Sequence, residues 1–526
     1  MVSSTSVSAS PDALPYTSPS LVTVLVLSSY LLLLSVFYHA FQRLLSAGIL
    51  GPLVLGAIYA RPLGDILPLD VQSTILSIGF LGLILLIVQG GIDARMDILA
   101  SPVNLGMAVL VGATGVVLPI GLSMALLPAG FGYGLLESFT VGAALASTSL
   151  GTTFAVLSTY KDRTKEGRVG EKTQQGIADT RVGTILVGAA LLDDIIGLVI
   201  TSVVSTLGSS TQPGVGLNSV PPWTIARPVV SSFLLLVISW LLSRYILAPL
   251  SRSVVIPALI RYTAAARTPA EPSSSGRVAA GLRRAMAGLH ANLGLQQMIA
   301  TTLLVCTVLA YCVISEEIGS SLLIGAFCAG AMMKYLYALW AERTSSRSEQ
   351  CVWSPEHLFT HTALGVVQET LLMPFFFSSI GSAIPVRSMF TASTVWRGII
   401  FAGLMALAKV AAGAWLLLAD RLERRKPNDI QLGPLDTSQA EQVEPPVWPA
   451  ALFLGVSLMS RGEIGYLIIN IANRSGLVGQ QAFNVAIWAI TLNTLAGPLA
   501  IAFLMRSQYG PLLLGLTPAS RLSRWS

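Results

Sequence analysis

The sequence predicts an all-α polytopic membrane protein of about thirteen transmembrane helices. Three observations predict it: a scarcity of charge, a succession of apolar runs of bilayer length, and a one-sided distribution of Lys and Arg. Charged residues make up 11% of the 526 and the mean hydropathy is +0.71, where a soluble domain carries about 25% charge. So few charges cannot cover a soluble surface of this size, which excludes a soluble enzyme, a disordered regulator and a nucleic-acid binder. Cys306, Cys312, Cys328 and Cys351 are too few for a disulfide framework. Three of them lie in apolar runs, where a free cysteine behaves as a small hydrophobe.

Residues 1–20 are rich in Ser, Pro and Thr and carry no Lys or Arg. They lack the basic segment of a secretory signal and read as a disordered tail. A helix needs about 20 mostly apolar residues to cross a bilayer. Such runs fall at 21–42, 46–61 (short for a span), 71–91, 104–127, 136–158, 180–207 and 229–249, which make up a first membrane half at 21–249. They resume at 297–315, 318–338, 364–384, 396–419, 450–472 and 480–505, a second half at 297–505. The intervening 250–296 contains Pro269, Pro272 and Ser273 to Ser275 and reads as a flexible cytoplasmic linker, and 506–526 as a short cytoplasmic tail.

Charge checks the count independently. Twenty-two basic residues follow odd-numbered spans, among them Lys161, Arg163, Arg283, Arg284 and Arg425, whereas only Arg61, Arg227, Arg387 and Arg474 follow even-numbered ones. The positive-inside rule then places the N-terminus outside or lumenal and the C-terminus in the cytoplasm. The net charge of +6 is mostly topology and needs no acidic or nucleic-acid partner.

An ionisable group inside the bilayer costs about 2.5–3.5 kcal/mol on insertion scales, so the few present are the first functional candidates. Asp193 and Asp194 sit side by side in the middle of span six. Neighbours on a helix point about 100° apart, so one can face a water-filled cavity and the other a neighbouring helix. Lys409 lies mid-way along span eleven, too deep to snorkel, and its natural partner is one of the two aspartates. A lysine so placed can release a proton when the carboxylate takes a cation. Arg461 and Glu463 lie close together in span twelve and form a candidate ion pair, structural or coupling. Glu369 and the Glu316–Glu317 doublet fall at span ends and read as solvated. His39, His290, His357 and His361 read as ordinary surface histidines.

Two spans are interrupted. Span five contains Ser147, Thr148, Ser149, Gly151, Thr152 and Thr153, whose hydroxyls and glycine weaken helix continuity. Irregular backbone at membrane depth is tolerated within protein or around a cavity, and the freed carbonyls and hydroxyls are oxygen ligands for a small hard cation. The stretch from Ser460 to Gly465 weakens span twelve in the same way. An offset of seven spans reverses orientation in the membrane, the arithmetic of inverted repeats whose interrupted helices cross near an ion site.

In this order, these residues resemble the monovalent cation:proton antiporter superfamily, especially the bacterial-type Na+/H+ antiporters and their fungal relatives. The likeness runs from about residue 46 to 505 and is carried by Gly48 to Gly64 (GILGPLVLGAIYARPLG), Leu81 to Asp93 (LGLILLIVQGGID), Ile318 to Met332 and Met373 to Gly381 (MPFFFSSIG). The early segment departs from the family pattern in lacking its usual Gly-Glu pair. The resemblance implies that Asp194 is the principal cation- and proton-binding carboxylate. It implies that Asp193 pairs with Lys409, and that Thr148, Ser149 and Thr152 lie beside the carboxylates. An Asp-Asp doublet with a lysine goes with electrogenic exchange in that family, whereas an Arg-Gly-Glu segment such as Arg461-Gly462-Glu463 also occurs in electroneutral relatives. Na+ (or Li+ or K+) and H+ are the implied substrates, exchanged by alternating access in a homodimer embedded in the bilayer. No cofactor is expected, and no metal beyond the transported Na+. The C-terminal tail has no Gly-rich fingerprint, so the nucleotide-binding domain of the potassium-efflux branch is not expected.

Two other readings compete. A sodium-coupled organic-anion symporter on the same fold would use Lys409 to hold its substrate. An intramembrane aspartyl protease needs two aspartates on separate spans facing one another, and the mid-span aspartates here are adjacent.

Overall fold

The computed structural model of the chain describes residues 18–45, 47–93, 102–148, 180–210, 221–255, 293–341, 354–424 and 446–507. Among the described residues the regular elements are helices, and no strand is present. The first half supplies α1 (Leu21–Leu45), α2 (Leu50–Tyr59), α3 (Leu69–Asp93), α4 (Pro102–Phe131), α5 (Leu135–Ala146), α6 (Arg181–Ser210) and α7 (Pro222–Leu241). The second supplies α8 (Leu293–Glu317), α9 (Leu322–Ala341), α10 (Pro355–Thr360), α11 (Ala363–Ser382), α12 (Ala392–Ala412), α13 (Ala414–Arg424), α14 (Trp448–Ser457), α15 (Glu463–Arg474) and α16 (Gln480–Arg506).

Among the described residues ten helices are long and apolar enough to cross a membrane, α12 and α13 counting as one. The expected second, fifth and twelfth spans fall on shorter apolar helices, α2, α5 and α14. For α5 and α14 the shortness follows from the interruptions. α5 stops at Ala146, where Ser147 leaves the helical region with ψ 138°. α14 stops at Ser457, and the chain re-enters a helix only after Gly462, whose backbone is extended (φ −139°, ψ −154°). Proline accounts for two further irregularities. Its ring clashes with the carbonyl four residues earlier and it donates no N–H. π-helical turns accordingly precede Pro249 and Pro374, at Leu242–Leu247 and Gln368–Leu372.

Burial orders the helices from outside to inside. Only 11% of the apolar window of α1 and 22% of that of α7 is covered by protein, against 61% for α6. The helix carrying the aspartate doublet is therefore the most enclosed of the ten long helices. α6 packs on α4, α5 and α15, and α12 packs on α4, α14 and α16. A second group, α2, α3, α9 and α11, joins through glycines. A Cβ on Gly56 would collide with the Ser378 carbonyl, and one on Gly381 with the Leu53 carbonyl, so α2 and α11 meet backbone to backbone. Gly91 and Gly330 do the same for α3 and α9. Without a hydrophobic force between helices in lipid, such close approach is how they gain packing energy.

Overpacking a close contact costs about 1–3 kcal/mol. Gly381→Val should therefore lower the melting temperature of the detergent-purified protein. An unchanged melting curve would mean that α2 and α11 do not approach this closely.

Candidate functional site

Lys409 on α12 and Asp193 on α6 form an ion pair, with Nζ 2.8 Å from Oδ2 and both side chains shut off from solvent. Taking two charges out of water costs several kcal/mol each, so the geometry must be good and the remaining valences filled. Thr148, the second residue beyond the end of α5, supplies part of the filling, on the Oδ2 side; Asp193 Oδ1 has no partner among the described residues. Thr148 Oγ1 accepts a hydrogen bond from Lys409 Nζ at 2.8 Å and makes a close hydrogen bond to Asp193 Oδ2. The same oxygen lies 3.3 Å from the carbonyl of Leu458, the first residue beyond α14. One hydroxyl thus ties together the ends of both interrupted helices, the doublet helix α6 and the lysine helix α12. On the far side of the lysine, Gly115 of α4 leaves room for the ammonium: a Cβ there would stand 3.4 Å from Nζ.

Asp194 is placed differently. It is half-buried where Asp193 is 1% exposed, and it makes no side-chain hydrogen bond with the described residues. The doublet therefore divides, one carboxylate fixed by the lysine and the other left available.

Arg461 and Glu463 do not form the ion pair read from their spacing. A helix C-terminus leaves carbonyls unpaired and carries the negative end of the macrodipole. The Arg461 guanidinium, fully buried, is drawn to that end of α5: Nη1 donates to the carbonyls of Ala146 at 3.3 Å and Ser147 at 3.0 Å. The Arg461 carbonyl is itself held by Thr494 Oγ1 of α16 at 3.0 Å. Glu463 is the first residue of α15, at that helix's positive end. Each residue answers a different broken helix end.

Ser149 and Thr152, expected beside the carboxylates, lie outside the described residues. Two participants were not foreseen. The Leu458 carbonyl joins the cluster, and nothing in the sequence singles it out beyond its place next to the weak stretch of span twelve. Ser147 is 2% exposed, and its Oγ finds no partner among the described residues. In sequence it is one hydroxyl in a run of several. Of the histidines, His357 and His361 lie with ring centroids 4.9 Å apart and planes tilted by 46°, on and just beyond α10, outside the spans. Burial and the neighbouring imidazole lower the pKa of His357.

Interrupted helices that meet within a membrane bundle around carboxylates define a class, the secondary ion transporters. The chain belongs to the sodium/hydrogen exchanger family: the profile described as "Sodium/hydrogen exchanger, transmembrane" matches residues 26–261 and 277–507. It is 29% identical over 138 residues to the high-affinity Na+/H+ antiporter NhaS3 of Synechocystis, a match spanning 26% of this chain and 26% of that protein. Its fold is similar to that of the sodium proton antiporter MjNhaP1 of Methanocaldococcus jannaschii, with a TM-score of 0.51 and 16% identity over 95% of this chain and 98% of the other.

Removing one partner of a buried ion pair costs about 3–5 kcal/mol, because the other charge is left unpaired. Lys409→Met should lower the melting temperature accordingly, and adding Asp193→Asn should recover most of the loss. Equal losses in the single and double variants would show that the two charges are not coupled.

Proposed function

We propose that the protein exchanges a monovalent cation, Na+ or its neighbours Li+ and K+, for protons across a membrane by alternating access. The observation that carries this reading is Asp194, a half-buried carboxylate without a hydrogen bond to the described residues, beside an aspartate already neutralised by Lys409. Protons and the cation compete for Asp194. The inner bundle of α4 to α6 and α12 to α16 moves against the remaining helices and exposes the site to each side in turn. The two interrupted regions, in spans five and twelve, support an inverted-repeat ancestry for the halves at 21–249 and 297–505. Ser149 and Thr152 would add oxygen ligands next to Thr148.

The buried Lys409 favours an electrogenic cycle, in which its proton leaves along with that of Asp194 when one cation enters. One net charge moved through 100 mV is worth about 2.3 kcal/mol, so the membrane potential would drive exchange. The Lys and Arg pattern supports an outer or lumenal N-terminus and a cytoplasmic C-terminus. Membership of a transporter family favours a non-enzymatic role. The family resemblance supports a homodimer, and α1 and α7 present the least covered apolar faces for it. The symporter reading gains no support, since Lys409, its anion-binding group, is engaged by Asp193.

Proteoliposomes containing a pH dye provide the test. Na+, Li+ or K+ added outside should drive protons out of the lumen, faster or slower as the voltage is clamped, and Asp194→Asn should abolish the flux. Exchange indifferent to voltage would keep antiport and remove Lys409 from the charge count. Folded wild-type protein that moves protons with none of the three ions would overturn the proposal.

A further inference from the structure

We infer that the transported cation is held in the gap between α6 and α15, where the Glu463 carboxylate and the Ser147 hydroxyl join Asp194 as its oxygen ligands. The inference rests on the antiport reading and adds to it the residues that set cation affinity and choice.

The first support is the convergence of three backbones. α15 packs on both α5 and α6. Gly197, one turn beyond the aspartate doublet, faces Ile464: a Cβ there would stand 3.1 Å from Ile464 Cγ2 and 3.8 Å from Ser147 Cβ and Oγ. Gly465 brings α15 equally close to α5, since its Cβ would stand 2.6 Å from the Ala144 carbonyl. The segment that begins with Glu463, the Ser147 side chain and the turn of α6 beyond Asp194 thus converge.

The second support is an unfilled hydrogen-bonding group. Ser147 Oγ is buried and without a partner among the described residues. Leaving such a group unsatisfied costs about 1–3 kcal/mol. Thr148, its neighbour in sequence, is by contrast fully engaged with Lys409 and Asp193. A cation in the gap would give the Ser147 oxygen a partner.

Charge supplies the third support. Asp193 and Lys409 cancel. Arg461 contributes one positive charge, turned towards the carbonyl end of α5. Asp194 and Glu463 contribute two negative charges, so the cluster is left one negative charge in excess. That count holds with Lys409 protonated; when Lys409 gives up its proton the excess grows to two, so in either state the cluster attracts a cation. The donors are all oxygens, the ligand type that hard cations select.

Glu463 also opens α15, where a carboxylate favours the helix end, so the experiment must separate ligation from capping. The full chain is reconstituted in proteoliposomes as wild type, Glu463→Gln, Glu463→Asp and Ser147→Ala, and assayed with Na+ alone and then Li+ alone. Glu463→Gln should raise the half-saturating Na+ concentration at least about tenfold, and Ser147→Ala about threefold, with smaller changes in the saturated rate. Glu463→Asp keeps the charge but shortens its reach, and should shift the Li+ to Na+ preference. In detergent, Na+ should raise the melting temperature of the wild type and fail to raise that of Glu463→Gln. A capping role alone would lower the cation-free melting temperature and leave half-saturation unchanged. Unchanged half-saturation in folded Glu463→Gln overturns the inference. If that variant does not fold, unchanged half-saturation and ion preference in both Glu463→Asp and Ser147→Ala overturn it. Absence of wild-type flux would instead overturn the antiport reading itself.

Discussion

A lysine ammonium and an aspartate carboxylate, both removed from water, meet between α12 and α6. Neither charge could stay there alone, so each helix is held to the other by the penalty of separating them as much as by their attraction. The pair also needs a third group on its Oδ2 side, and Thr148 provides it only because α5 ends two residues earlier. A continuous helix at this point would have spent that backbone on its own hydrogen bonds. The break in span five, the doublet and the lysine are therefore parts of one requirement. With Asp193 committed to the lysine, its neighbour Asp194 is the one of the two without a hydrogen bond to the described residues.

Breaking helices inside a membrane exposes backbone groups that lipid cannot solvate. The chain answers these exposed ends with side chains, two of them from another element. Arg461, from the second break, meets the carbonyl end of α5. Thr148, from the first break, reaches towards the carbonyl just beyond α14. Glu463 lies at the amino end of α15. The first two form a reciprocal arrangement, each break serving the other, so the interruptions are stable only together. That mutual dependence gives a physical reason for two weak stretches in one sequence.

Much of this was legible in the sequence, for an energetic reason. Charges at membrane depth are so costly that Asp193, Asp194 and Lys409 announce themselves against an apolar background, and opposite charges at that depth find one another. The interruptions were legible because hydroxyls and glycines cluster where helices weaken. What stayed hidden is what side chains do with backbone. Arg461 and Glu463, two residues apart and opposite in charge, suggest a pair. The pull of an unpaired helix end, which has no residue letter, decides otherwise. The Leu458 carbonyl was invisible for the same cause. Ser147 was lost among its neighbours, because which hydroxyl of a run is left unsatisfied depends on tertiary placement. The π-helical turns before Pro249 and Pro374 stayed hidden too, since Pro119 and Pro498 sit inside helices with no such turn.

The glycine contacts linking α2 to α11 and α3 to α9 bear on how the molecule can move. At each joint a carbonyl of one helix occupies the volume that a side chain of the other would fill. Such a joint works like a dovetail: sliding along it would drive backbone against backbone, with no flexible side chain to yield. α11 also packs on α3, so the four helices form one continuous slab. Displacement within the protein has to be taken up at surfaces where side chains, not main chains, are in register, and the slab supplies the fixed wall against which it is measured.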